Sequence, residues 1–185
     1  GALEAFYTLP EAMVYPVGLN WAAADMTLIK ERLAEADCLA IGPGLGREEC
    51  LPQIVHLVLK TGKPAVVDAD ALNALSRLDD DEKAALLHEK AVLTPHPGEM
   101  ARLTGLSIDE IKADMAGVAA EYARRWRCTV LLKGARTAIA GPDGRLKWNE
   151  TGNAGLAKGG SGDVLTGIIL ALLGQKLPPY GAACT

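Results

Sequence analysis

A glycine-rich segment, "GGSGD", runs into an apolar helix near the end of this 185-residue chain, and an acid stands where the two meet. Such a helix start binds anions, phosphate above all, on its free backbone N–H groups. Asp163 places a carboxylate there, and a carboxylate repels phosphate. One interpretation is a helix cap, a role that Ser161 would fill equally well. We favour the other, in which Asp163 takes a hydroxyl proton beside a transferring phosphoryl group.

A second glycine-rich segment, "GPGLGR", follows an earlier predicted strand, with glycines at Gly42, Gly44 and Gly46. Arg47 stands where the dinucleotide-binding pattern G-x-G-x-x-G would need its third glycine, so that pattern is not met. The segment could be a tight turn from strand to helix. Three glycines exceed what one turn requires, so we favour a close approach of the backbone to a ligand.

Two acids, Asp68 and Asp70, end a valine-rich predicted strand. In that position they could steer a cation or a substrate hydroxyl. Equally, Asp70 could cap a helix that begins at Ala71. The sequence leaves both interpretations open.

The segment "TPHPGE" holds His96 between two prolines after a further strand, and Glu99 falls in the first turn of the next helix. A single histidine is often only a surface or core residue. Its rigid position at a strand end and the carboxylate three residues later place a functional role on an equal footing with that interpretation. The role would be substrate contact by His96, or a hydrated Mg²⁺ held by Glu99.

A cation, Lys133, and a glycine, Gly134, end the apolar strand of "VLLKGART". A solvated lysine is the simpler interpretation. Because a second anion-binding segment occurs in the chain, we favour a contact to a nucleotide phosphate or to the adenine and ribose.

The elements that must position these residues follow an alternating pattern. Apolar stretches of strand length alternate with stretches of helical period, which is typical of βαβ units and a largely parallel sheet. Ligands bind such sheets at the carboxyl ends of the strands, where the polar motifs fall. The predicted strands are Cys38–Ile41, Ala65–Asp68, Ala91–Leu93 and Thr129–Leu132.

Two helices and a hairpin complete the predicted elements. Apolar residues from Leu51 to Leu59 indicate an amphipathic helix that ends at Gly62. A capping box at Ser107 begins a helix whose apolar spacing continues to Trp126, and we predict one helix over this whole stretch. The segments "TAIAG", "GPDG" and "RLKWNE" then predict a β-hairpin or meander at a mixed edge of the sheet.

Composition favours one globular domain over residues 1–185, with 49% hydrophobic and 23% charged residues. The net charge of −4, without a basic run, excludes nucleic acid as an expected partner. The apolar run Ile168–Leu173 is too short for a membrane span, and the chain opens on no charged-then-apolar leader, so we expect a cytoplasmic protein. The four scattered cysteines are expected to be reduced thiols.

The motifs taken together resemble a known family. "GGSGD" before an apolar helix resembles the anion hole of the ribokinase-like superfamily. In order, "IGPGLG", "DADALN", "TPHPGE", "LKGART" and "GNAGLAKGGSGDVLTGIILALLGQ" resemble the ADP/ATP-dependent NAD(P)H-hydrate dehydratases, the carboxyl-terminal domain of bifunctional NAD(P)HX repair proteins. The resemblance implies an α/β, ribokinase-like fold with a mostly parallel sheet flanked by helices. We expect a domain that lacks its amino-terminal portion and final helices.

The resemblance also implies a reaction and its residues. The family dehydrates (6S)-NADHX or NADPHX at the expense of ADP or ATP, with Asp163 as the catalytic base. Its implied substrate contacts are Gly42, Gly44, Gly46, His96 and Asp163. Its implied adenine-nucleotide contacts are Lys133, Gly134, Ala135, Arg136, Thr137, Gly159, Gly160, Ser161 and Gly162. Glu99 is implied to hold Mg²⁺ through water.

Two other functions stay open at this point. A ribokinase-like kinase of a small alcohol, of the thiazole or hydroxymethylpyrimidine type, shares the anion hole and Asp163. By the same resemblance, such kinases are expected to have an Asn-x-x-Glu motif where this chain has His96 and Glu99. His96 in place of the asparagine favours the dehydratase. A nucleotide-binding module without turnover is the second alternative. The resemblance further implies a homo-oligomer, a tetramer or larger, and leaves open ADP against ATP and NADHX against NADPHX.

Overall fold

A computed structural model describes residues 12–13, 15, 23–46, 49–151 and 158–185. The chain divides into two compact units, Gly1–Glu35 and Ala36–Thr185. The first unit contains helix α1, Ala23–Glu35, in which Arg32 forms an ion pair with Glu35 at 2.8 Å. The predicted motifs all lie in the second unit.

The second unit is built on a six-stranded sheet in which the strand order follows the chain order, β1 to β6. The strands are β1 Leu39–Ile41, β2 Ala65–Val67, β3 Ala91–Leu93, β4 Thr129–Leu132, β5 Thr137–Ala140 and β6 Leu146–Asn149. Strands β1 to β4 are parallel, whereas β5 and β6 form an antiparallel hairpin at one edge. The predicted mixed α/β sheet is confirmed, and the four predicted parallel strands agree to within one residue at each end.

Helices pack against the strands and contribute the other buried residues of the core. They are α2 Leu51–Lys60, α3 Ala69–Leu75, α4 Asp80–Leu86, α5 Pro97–Thr104, α6 Ile108–Ala113, α7 Met115–Arg125, α8 Ser161–Gly174 and α9 Pro179–Ala183. Within the described residues, no helix has both the length and the apolar character that crossing a bilayer requires.

Both faces of the sheet are buried. Val66 and Val92 on one face pack in a cluster with Ile169 and Leu173 of α8. Their strand neighbours point to the other face because side chains alternate along a strand, and these neighbours, Ala65, Val67, Ala91 and Leu93, are also fully buried. The parallel strands are therefore apolar throughout, and the polar residues that follow them lie at the sheet edge.

The prediction of one helix from Ser107 to Trp126 is wrong in one respect. Its capping box is present, since the Ser107 hydroxyl accepts from the Glu110 N–H, but the helix ends at Ala113 and a second one begins at Met115. Asp114, between them, leaves the helical conformation, and its carboxylate accepts from the Gly117 N–H at 2.8 Å. A Cβ at residue 117 would lie 2.0 Å from that carboxylate, so the cap depends on glycine. Continuous apolar spacing concealed this second start.

His88, between α4 and β3, predicts an acid-sensitive stability. Neither of its buried ring nitrogens has a hydrogen-bond partner among the described residues. Burial lowers the pKa of the imidazole below its usual 6.5, and the nearby Leu59 carbonyl opposes this shift only in part. The unfolded chain therefore takes up a proton at a higher pH than the folded chain does. The stability contributed by neutral His88 is present above pH 6.5 and is lost as the pH falls toward the lowered pKa.

The test is urea unfolding at about pH 7.5 and about pH 5.5. We expect His88→Gln to lose less unfolding free energy on acidification than the wild type does. His56→Gln, at an exposed position on α2, serves as the control and should behave as the wild type. An equal loss in all three proteins would contradict the prediction.

Candidate active site

The sequence motifs meet at the carboxyl edge of the parallel strands. The backbone N–H of Asp68 donates to the Ile41 carbonyl at 3.1 Å, which joins the start of "GPGLGR" to the acids after β2. The backbone N–H of Lys133 donates to the Pro95 carbonyl at 2.8 Å, which joins "LKGART" to "TPHPGE". The expected convergence at this edge is therefore present in the structure.

The segment from Gly42 to Gly46 is a loop in which all three glycines have positive φ: 130°, 68° and 77°. A Cβ at residue 42 would lie 1.7 Å from the Asp68 carbonyl oxygen, so the close approach there is to the protein's own backbone. Residues 44 and 46 have open space at the corresponding position. Gly44 and Gly46 thus present uncovered backbone on the outer side of the loop.

Asp70 orders this loop. Its carboxylate accepts a hydrogen bond from the Gly46 N–H at 2.8 Å. The interpretation of Asp70 as the cap of a helix beginning at Ala71 is wrong, because α3 begins at Ala69 and its N-cap position is Asp68. The second acid of "DAD" therefore shapes the glycine loop.

Asp68 has a different set of partners. Its side chain is buried, with 2% of its surface exposed. One carboxylate oxygen, Oδ1, accepts from Lys133 Nζ at 2.9 Å, and the other, Oδ2, accepts from the Thr166 hydroxyl at 3.0 Å. Lys133 is therefore not simply a solvated lysine, since its ammonium is ion-paired beneath the start of α8.

The start of α8 has the form expected of an anion site. Gly160, with φ of 87°, occupies the N-cap position, and none of the described side chains caps the helix. The interpretation of Asp163 or Ser161 as the cap is therefore wrong. Asp163 is exposed in the first turn of a 14-residue helix, beside N–H groups that have no acceptor within the helix. Residues 152–157, the first part of the glycine-rich segment, lie outside the described residues.

His96 and Glu99 form a reciprocal cap at the start of α5. His96 Nδ1 accepts from the Gly98 and Glu99 N–H groups at 3.0 and 3.3 Å, and Glu99 Oε2 accepts from the His96 N–H at 2.9 Å. His96 Nε2 lies 3.4 Å from Glu99 Oε1. The cap thus uses Nδ1, and half of the side-chain surface of His96 remains exposed to a substrate.

The same cap bears on the predicted Mg²⁺ site. Glu99 is 6% exposed, and both of its carboxylate oxygens face His96. In the part of the chain that the structure describes, no group of three or more His, Cys, Asp or Glu side chains could hold a metal ion. The described residues therefore do not form a metal site by themselves, and Glu99 as a water-mediated ligand stays a prediction.

The residues after Lys133 line a cavity of about 420 Å³. Gly134, Ala135 and Arg136 form one wall, and the junction of α6 and α7 forms another. The Arg136 guanidinium lies 4.9 Å from the centre of the Trp148 ring and pairs with Glu150. The cavity therefore combines an aromatic surface with a cation.

Sequence reasoning missed Trp148 and the residues between α6 and α7 as part of this cavity. The hairpin register pairs Ala138 with Trp148, which brings the tryptophan close to the loop before β5. The predicted hairpin already placed Trp148 on a strand near this loop. The residue that it pairs with is known only from the structure.

Comparison with known proteins identifies the family of this chain. The family model described as NAD(P)H-hydrate dehydratase matches residues 4–185. The chain belongs to the NAD(P)H-hydrate dehydratase family. The family resemblance predicted from the motifs is thereby confirmed.

Three relatives illustrate the membership. A bifunctional NAD(P)H-hydrate repair enzyme from Moorella thermoacetica is 53% identical over 178 residues, covering 95% of this chain and 32% of that protein. The ADP/ATP-dependent NAD(P)H-hydrate dehydratase of Bacillus subtilis, co-crystallised with ATP/Mg²⁺ and soaked with CoA, aligns with a TM-score of 0.75 at 35% identity, covering 98% and 63% of the two chains. A ribokinase-like superfamily protein of Enterococcus faecalis aligns with a TM-score of 0.72 at 30% identity, covering 86% and 56%.

These alignments confirm the ribokinase-like fold. They also show that the chain spans about a third of the bifunctional relative and less than two thirds of the other two.

Proposed function

We propose that this member of the family takes part in the ADP- or ATP-dependent dehydration of (6S)-NADHX or NADPHX to NADH or NADPH. The observation that carries the proposal is the start of α8, where Gly160 occupies the cap position and the exposed Asp163 carboxylate is not used for capping. The Ser161 N–H donates to the Lys158 carbonyl at 3.3 Å, and the Gly162 N–H has no acceptor among the described residues. An exposed carboxylate beside such an N–H group suits removal of a hydroxyl proton during phosphoryl transfer.

The reaction requires such a transfer because hydroxide is a poor leaving group. In the proposed step, Asp163 accepts the hydroxyl proton, the hydroxyl oxygen forms a bond to the terminal phosphorus, and the phosphoanhydride bond breaks to release AMP from ADP or ADP from ATP. The ring nitrogen lone pair then expels phosphate from the adjacent carbon. Loss of a proton from the next carbon restores the ring double bond.

The backbone N–H groups of Gly160 to Gly162 would stabilise the charge on the transferring phosphoryl group. A helix start supplies both these donors and the positive end of the helix dipole. This field also offsets the repulsion between Asp163 and the phosphate. The carboxylate and the phosphate can therefore occupy neighbouring positions.

The two ligands would bind on either side of this helix start. We assign the adenine nucleotide to Lys133–Thr137 and Gly159–Gly162, because Gly134 to Arg136 line the 420 Å³ cavity. Arg136 and Trp148 there suit a phosphate and a planar base. We assign the hydrate to the loop of Gly42, Gly44 and Gly46 and to His96.

Mg²⁺ would bind the phosphates of the nucleotide and reach the protein together with it. The described residues form no cluster of metal ligands, and Mg²⁺ commonly binds through substrate phosphates and few protein groups. The solved B. subtilis relative was co-crystallised with ATP and Mg²⁺ together, which supports binding of the ion as a complex with the nucleotide.

The test is recovery of the dihydronicotinamide absorbance when the full-length protein is incubated with hydrated NADH or NADPH and Mg²⁺, with ADP or ATP in separate reactions. We expect recovery that requires nucleotide and yields one phosphate per cofactor restored. No recovery with either nucleotide would overturn the proposal. Phosphorylation of a thiazole or pyrimidine alcohol under the same conditions would support the kinase alternative instead.

A further inference from the structure

The carboxylate of Asp68 occupies an unusual place for a charged group. It is 2% exposed, and its partner Thr166 is 3% exposed. The Lys133 side chain, with 23% of its surface exposed, is the other partner. Burying a carboxylate is costly unless a cation and hydrogen bonds compensate it. Both forms of compensation are present here, as the ion pair with Lys133 and the hydrogen bond from Thr166.

The contacts of Asp68 join three separate elements. Asp68 follows β2 and Lys133 follows β4, and β3 lies between these strands in the sheet. Thr166 belongs to the second turn of α8. One carboxylate thus connects two strands that are not neighbours to the helix that carries Asp163.

The ion pair lies directly under the first turn of α8. A Cβ at Gly162 would lie 3.5 Å from Asp68 Oδ2 and 3.6 Å from Lys133 Nζ. A lysine ammonium on its flexible stem has many positions open to it, and a carboxylate at 2.9 Å restricts them. The restricted position is next to the glycines proposed to receive the phosphoryl group.

We propose that Asp68 is a positioning residue for phosphoryl transfer: it holds the Lys133 ammonium in place beneath Gly162 and fixes the start of α8 through Thr166. The inference rests on the proposed function of the α8 start. Asp68 itself is buried below that turn and acts through Lys133 and Thr166. Without it, the ammonium would move freely and the base Asp163 would lose its fixed distance to the transferring group.

The first test is Asp68→Asn in the full-length protein, which keeps the size of the side chain and removes its charge. We expect kcat to fall by about 10²-fold, because small displacements of reacting groups cost that much, while KM for the nucleotide changes only a few-fold. Thr166→Val keeps both charges and removes one hydrogen bond, so its loss in kcat should be smaller. An unchanged kcat in Asp68→Asn would overturn the proposal.

A double-mutant cycle with Lys133→Met tests whether Asp68 acts through the lysine. If it does, adding Asp68→Asn to Lys133→Met lowers kcat no further than Thr166→Val does alone, whereas independent roles would multiply the two losses. The double variant also carries no unpaired buried charge. We therefore expect it to unfold at a temperature close to that of the wild type even if Asp68→Asn alone folds poorly. Multiplied losses would contradict the mechanism.

A readout independent of turnover separates this inference from the proposed function. The Lys133 ammonium, held by a buried carboxylate, should give a slowly exchanging Nζ signal in lysine-selective NMR, identified by its absence in Lys133→Met. We expect the signal to disappear in Asp68→Asn and to persist in Thr166→Val. If the wild type shows this signal but restores no cofactor, the proposed reaction fails while the positioning of Lys133 stands. A signal that persists in Asp68→Asn overturns the inference, whatever the activity.

Discussion

Asp163→Asn is expected to reduce turnover by about 10²–10⁴-fold, the range that a positioned general base contributes, and to leave nucleotide affinity nearly unchanged. Asparagine keeps the size of the side chain and cannot accept the hydroxyl proton. The helix start keeps its Gly160 cap, because Asp163 takes no part in capping. The measurement is kcat from cofactor recovery, together with calorimetric titration of ADP and ATP.

The matched control is Asp109→Asn. Asp109 is likewise an exposed acid in the first turn of a helix, α6, and it lies outside the motifs of the site. We expect its kcat and nucleotide affinity to equal those of the wild type. A loss of nucleotide affinity in Asp163→Asn as large as the loss of turnover would show that Asp163 maintains the helix start and does not act as the base.

Gly42→Ala is expected to cost about 3–5 kcal/mol of unfolding free energy, the sum of backbone strain and a steric clash. Gly42 has φ of 130°, and the added Cβ would lie 1.7 Å from the Asp68 carbonyl oxygen. That oxygen belongs to the backbone at the end of β2 and cannot move without shifting the Asp68 ion pair. We therefore expect loss of stability and activity together, measured by denaturant unfolding and by cofactor recovery.

Gly44→Ala is the control for the clash. Gly44 also has positive φ, at 68°, but a Cβ there would meet no atom within 4 Å. Its expected cost is about 1–2 kcal/mol, from the left-handed conformation alone. Equal destabilisation by the two substitutions would contradict the role of close packing at Gly42.

Local pattern predicted much of the fold and the general position of the site. Runs such as "AVV" and "TVLL" are strands because β-branched and apolar residues fit a sheet buried on both faces, and their ends were predicted to within a residue. The carboxyl-edge rule then placed the motifs near one another without any distance being known. Periodicity was less reliable at Asp114, because the apolar spacing continues across this residue although one helix ends before it and Asp114 caps the next.

The roles of individual side chains were harder to predict where two local interpretations were physically equal. Asp70 could have capped a helix, and in the structure it accepts from Gly46, 24 residues earlier. His96 is the N-cap of α5, a position in which its ring nitrogen replaces the usual side-chain oxygen. The free N–H groups of a helix start bind whichever side-chain acceptor lies within reach, so residue type alone did not decide the caps.

The family, the strands and the glycine-rich start of α8 with its acid can be predicted from the amino-acid order, because they depend on residues that are neighbours along the chain. The pairing of Asp68 with Lys133, 65 residues away, and with Thr166, 98 residues away, arises only when the chain folds. A carboxylate at a strand end can bind water, the N–H groups of a helix start, a metal ion or an ammonium group. Which of these it meets depends on the elements that pack over it, and here β4 and α8 bring the ammonium and the hydroxyl.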